Sequence, residues 1–94
     1  MTLQEKYNEW LQSEQGKTIA REVVGRARAL RERGFDRYGV KAICESIRFD
    51  MSVRSGVDAD GYKVNNNYSS RMARDLMAYF PELDGFFETR GLRA

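Results

Sequence analysis

The side chains best suited to binding chemistry in this sequence lie in residues 63–80, KVNNNYSSRMARDLMAYF. Placed on a helix at 100° per residue from Asn67, the apolar Tyr68, Met72, Leu76, Tyr79 and Phe80 fall on one side. Asn67, Ser70, Arg71 and Arg74 fall in a narrow arc opposite, with Ala78 among them. Such an arc suits a duplex major groove. Asn and Arg hydrogen-bond base edges, while Ser and a helix N-terminus suit phosphate. The asparagine run in front supplies the short acceptors that satisfy the first free N–H groups of a helix. A merely solvated helix face has the same composition, and most polar helix faces are only that.

Other chemistry is scarce. The chain has no histidine. Its single cysteine, Cys44, lies on an apolar stripe with Val40, Ile43, Ile47 and Met51, so it reads as a buried small hydrophobe without a base to activate it. No Gly-rich phosphate loop and no zinc spacing occur. Asp58 and Asp60 precede Gly61 in a DADG sequence. A calcium loop of the EF-hand type needs a closing Glu about twelve residues from its start, where this chain reads NNNYSS, so the acids belong to a tight turn. The inventory names no catalytic residue, no metal ligand and no cofactor. It points to a protein that binds rather than catalyses.

Ninety-four residues suit a single domain with a modest core. A content of 41% hydrophobic, 12% aromatic and 32% charged residues is that of a folded chain with a well-solvated surface. No signal peptide opens the chain and no apolar run approaches a membrane span. With one cysteine no internal disulfide forms, and the expectation is a cytoplasmic protein without membrane contact. Net charge is only +2, but it is unevenly placed: residues 17–41 carry +5 and residues 63–74 carry +3, among acidic stretches. Twelve of the sixteen basic residues are Arg, which favours planar contacts with phosphate, carboxylate or guanine.

The elements that must position these residues are mostly helical. Residues 2–15 read as a first helix, opened by a Thr2–Glu5 capping box and ended by Gly16, with Trp10 as a core or docking anchor. Residues 17–33 form a second, with Ile19, Ala20, Val23, Val24, Ala27 and Leu30 as its stripe and Gly34 just past its end. Arg21 and Arg28, two turns apart on its exposed side, and Lys63 are candidates to hold phosphate. A third helix starts near residue 35 with Asp36 as cap and Phe35 packed inward, and runs to about 51. Residues 53–57 and 61–64 flank the DG turn and read as a short hairpin. After the helix over 67–80, Pro81 stops it, PELD makes one turn to Gly85, and an aromatic tail carries Phe86 and Phe87. At least one of these rings must pack on the domain or on a partner. The resulting class is mainly α with a small β-hairpin, a single helical domain.

The segments RYGVKAI, DGYKVNNNYSSRMARDLM and PELDGFFETRGL cover over half the chain. As a combination they resemble a widespread group of small bacterial and phage proteins of mobile elements, to which no activity is assigned. The resemblance implies that the Asn and Arg positions belong to a family pattern, as ligand contacts or as ties between strand and helix from Asn65 and Asn66. The leading functional expectation is a DNA-binding regulator that presents helix 67–80 to the duplex. A hairpin beside a basic helix is similar to winged-helix arrangements, although here the hairpin precedes the recognition helix. The rival expectation is a protein-binding inhibitor or adaptor, directed at a host or defence-system protein through the aromatic tail, the acidic ends and Arg71 and Arg74. A homo-oligomer is compatible with either.

Overall fold

The first two helices share one residue. In the computed structural model, which describes residues 1–56 and 62–88, α1 (Leu3–Gln12) ends and α2 (Glu14–Glu32) begins at Ser13. The Ser13 hydroxyl accepts the Gly16 N–H at 3.1 Å and donates to the Trp10 carbonyl, so one side chain closes α1 and caps α2. The break expected at Gly16 therefore falls three residues earlier. Gly16 is buried inside α2, where an added Cβ would lie 2.1 Å from the Trp10 carbonyl oxygen. Its role is close approach of two backbones, not helix termination. At the other end of α1, Thr2 and Glu5 form the reciprocal capping box that their spacing predicts.

Burial of Ile19, Val23, Val24 and Ala27 turns one face of α2 into the core. The helix ends in a Schellman arrangement, with the Gly34 N–H on the Arg31 carbonyl at 3.0 Å and the Phe35 N–H on that of Leu30 at 3.1 Å. Gly34 has φ 96°, a left-handed conformation that a side chain would strain.

The third helix does not start at Phe35. Residues 38–39 are extended as β1 (Tyr38–Gly39), and α3 (Val40–Ser55) follows with Gly39 at its cap and no side-chain capping bond. Asp36 is not the cap, and Phe35 is 45% exposed, edge-on to Tyr38 at 5.9 Å. The cause is distant in sequence. The Tyr38 N–H donates to the Phe86 carbonyl at 3.0 Å, and β1 pairs in parallel with β2 (Phe87–Glu88), which holds these residues out of the helical region.

Helix α3 continues through residues 53–55 and stops at Gly56, with φ 76°. The first strand of the expected hairpin is thus helical, with Val53 65% exposed on its surface. Extending a helix adds one hydrogen bond per residue, whereas an isolated short hairpin is marginal. The DG turn lies outside the described residues. Among the described residues the small β element is the parallel β1–β2 pair, not a hairpin wing, and no winged-helix arrangement forms. The fold class is mainly helical with one small two-stranded sheet.

Asn65 caps α4 (Asn66–Tyr79), its side chain accepting the Asn67 N–H at 2.8 Å. Met72 and Ala73 are buried, and Ser69 between them donates to the Asn66 carbonyl. Tyr79 does not join the apolar side as its phase predicts: it is 78% exposed, because the chain turns away at Phe80 into the 3₁₀ turn Pro81–Leu83. That turn brings Leu83, Phe86 and Phe87 into the core beside α2, α4 and β1, and all three are buried. Both rings of the aromatic tail are thus interior. Residues 89–94 lie outside the described residues.

Candidate nucleic-acid interface

The outward face of α4 is the arc opposite Met72 and Ala73. Asn67 and Arg74 are exposed there, and Ser70 and Arg71 are half-buried. Lys63 is exposed two residues before the Asn65 cap. No carboxylate falls within the arc. Asp75 borders it and accepts the Tyr7 hydroxyl at 2.7 Å. Burial, followed by this hydrogen bond and the Asp75 charge, pushes the Tyr7 phenol well above its ordinary range. Tyr7, Trp10 and Tyr68 form a ring cluster with centroids 5.3–6.3 Å apart, which seats α1 beside α4.

Arg71 is shared between the arc and this seat. Its Nη1 donates to the Gln4 Oε1 of α1 at 2.6 Å, and its Nε is buried without a hydrogen-bond partner. Gln4 is a neutral acceptor, so the guanidinium keeps its full charge at the edge of the arc. That bond narrows what remains of the fork for a ligand.

Arg21 and Arg28 are not part of this face. Both line a groove with Leu76 and Phe80, the residues on the core side of α4. By helical phase Leu76 is half a turn from Asn67, so the two α2 arginines and the α4 arc face different directions. Arg28 also has a partner of its own. Its Nε and Nη2 donate to the Glu82 carboxylate at 2.9 and 2.6 Å, and its guanidinium lies over the Phe80 ring at 5.0 Å. The hydrogen bonds from the Glu82 backbone and from Arg28 hold the Glu82 carboxyl below its usual range. The seven candidates thus divide into Asn67, Ser70, Arg71, Arg74 and Lys63 on or near one face and Arg21 and Arg28 on another.

Gln4, Asp75 and Glu82 are the residues that the sequence does not reveal as partners. Each lies 54 to 68 positions from the side chain it engages, and no local periodicity links such pairs. Cys44 is buried as expected, its thiol pushed up to about 12 by burial and then by the nearby Glu45 charge. Among the described residues no group of His, Cys, Asp and Glu is placed to hold a metal ion, and no helix is long and apolar enough to cross a membrane. Comparison with protein-family models, curated proteins and solved structures finds no match.

Proposed function

We propose that this chain is a small nucleic-acid-binding protein of the phage or mobile-element type, a DNA-binding regulator that acts by contact and not by catalysis. One observation carries the reading: the outward face of α4 presents Asn67, Ser70, Arg71 and Arg74 without an intervening carboxylate. In this reading Asn67 and Arg74 meet base edges, and Ser70, Arg71 and Lys63 hold backbone phosphate. The lone unpaired Cys44 supports a reducing, cytoplasmic setting.

Titration of duplex DNA across a salt series tests it. Affinity should fall linearly in log salt, by about 0.9 units of slope for each phosphate neutralised. Arg74→Ala should weaken binding by about 1–3 kcal/mol and relax sequence preference. Arg21→Ala and Arg28→Ala should leave the slope unchanged, since they line the opposite side of α4. A wild-type protein without salt-dependent DNA affinity would exclude the reading.

In that case the inhibitor or adaptor reading takes its place, through a surface other than the aromatic tail, since Phe86 and Phe87 are interior. One observation favours it: Phe49 and Val53, one turn apart on α3, are both about two-thirds exposed.

A further inference from the structure

The groove that takes Arg21 and Arg28 away from the α4 face has features of its own. Its volume is about 460 Å³ and its floor is Val24, Leu76 and Phe80, the last two left half-exposed by the fold. Among the described residues Arg21 and Arg28 are the only charged ones that line it, and Gly25 lies between them. Glu82, the partner of Arg28, belongs to the neighbouring hollow. The Arg28 and Glu82 side chains are 48% and 46% exposed, a solvent-screened pair that an incoming carboxylate can replace.

Among the described residues nothing requires glycine at position 25. It sits in the middle of α2, and a Cβ added there would meet nothing within 4 Å. Its φ is not left-handed. A mid-helix glycine destabilises a helix relative to alanine. What it provides is bare backbone at the wall of an open groove, where another backbone can approach closely. Arg21 and Arg28 are seven residues apart, a rise of about 10 Å along the helix. Two carboxylates at the same spacing on a second helix would match them.

We infer that this groove docks an acidic amphipathic helix of a partner protein, its apolar stripe on Val24, Leu76 and Phe80 and its carboxylates, seven residues apart, on Arg21 and Arg28. Charge complementarity selects an acidic partner, and the floor selects side chains over nucleobases. Among the described residues Phe80 is the one ring lining the groove, and the Arg28 guanidinium lies over one of its faces, so the floor is mainly aliphatic and offers little surface to stack a base. The inference does not depend on the DNA reading, because the two surfaces lie on opposite sides of α4.

The test uses the full chain and a fluorescein-labelled helical peptide with Leu on one stripe and Glu at two positions seven residues apart. A matched peptide carries Lys in place of both Glu. Saturable binding of the Glu peptide, about tenfold or more tighter than the Lys peptide and weakened by salt, is expected. Gly25→Ala should raise the melting temperature yet weaken the peptide, and Gly25→Leu should fold and abolish binding. Arg21→Glu should invert the preference towards the Lys peptide, while Arg74→Ala should leave it unchanged. Equal affinity for both peptides, or none for either, overturns the inference. So does a Gly25→Leu protein that binds as wild type, a Gly25→Ala protein that is less stable, or a single-stranded oligonucleotide whose binding depends on Gly25 and Arg21.

Discussion

Removing the ring of Phe86 should nearly unfold this protein, although the residue lies in a segment that reads as a tail. Phe86 is 0% exposed, packed edge-on to Phe87 at 5.4 Å with the Arg31 guanidinium 5.8 Å from its ring centre. A buried Phe removes roughly 150–200 Å² from water, which at about 25 cal/mol per Å² is about 4–5 kcal/mol. Cavity-forming Phe→Ala changes cost about 3–5 kcal/mol, in agreement. Domains of this size hold about 5–15 kcal/mol in total, and each kcal/mol moves the midpoint by about 4–8 °C. Phe86→Ala should therefore lower the melting temperature by roughly 12 °C or more. The loss should also extend to the first half of the chain, because the Phe86 carbonyl holds the Tyr38 N–H ahead of α3. Urea and thermal unfolding followed by circular dichroism measure the change. Phe35→Ala is the control: its ring is 45% exposed, and it should lose under about 1 kcal/mol. If the two variants are equally stable, the C-terminal segment is not part of the core and the packing argument is wrong.

Two further perturbations probe other parts of the frame. Gly16→Ala should cost about 1–3 kcal/mol or more, read by the same melts, because its Cβ meets the Trp10 carbonyl and Leu11 Cα, which are backbone atoms with little freedom to move. The Cys44 thiol, raised from 9.0 to about 12, holds its proton more tightly in the folded state than in the unfolded one. Its contribution is therefore fully present below about pH 9 and is lost as pH rises towards 12, at up to about 1.4 kcal/mol per pH unit. Alkaline urea titrations should show that slope reduced in Cys44→Ala, with the part due to Tyr7, also raised, remaining. At neutral pH the native thiol should react with a thiol reagent only as fast as the protein unfolds.

The helices were legible because each buries a stripe. Ile19, Val23 and Ala27, Val40, Ile43 and Ile47, and Met72 with Leu76 repeat at the period of a helix, and this is a local signal. The apolar stripe with Cys44 on it follows from the same spacing. The errors share another origin. Val53 near a DG pair imitates a strand, yet the helix already under way continues at less cost than a new strand without a partner. Tyr38 and Phe87 pair across the whole second half of the chain through two-residue strands too short to leave any alternation. Gly16 looked like a helix stop because glycine serves both termination and close approach, and only the position of the Trp10 carbonyl separates the two. At the candidate site, helical phase correctly grouped Asn67, Ser70, Arg71 and Arg74 on one face of α4. It could not place α2 relative to α4, so it could not show that Arg21 and Arg28 face elsewhere. Which arginine has a private carboxylate depends on where Pro81 turns the chain.

The parallel contact of β1 with β2 also determines when the chain can finish folding during translation. Joining Tyr38 to Phe87 closes a loop of roughly fifty residues, an entropic cost of about 3–4 kcal/mol before any constant term. That cost is met only when Leu83, Phe86 and Phe87 are present to fill the space they occupy. Until residue 88 has left the ribosome, α2 lacks the cover of the Pro81–Leu83 turn and β1 lacks its partner, so the nascent chain displays part of the α2 apolar stripe for the entire synthesis of α4. Low contact order lets the α1–α2 corner form early, whereas the native state as a whole must wait for these late residues. A slow codon or a stall ahead of residue 86 would lengthen the interval in which a holdase, or another nascent chain, can bind that stripe.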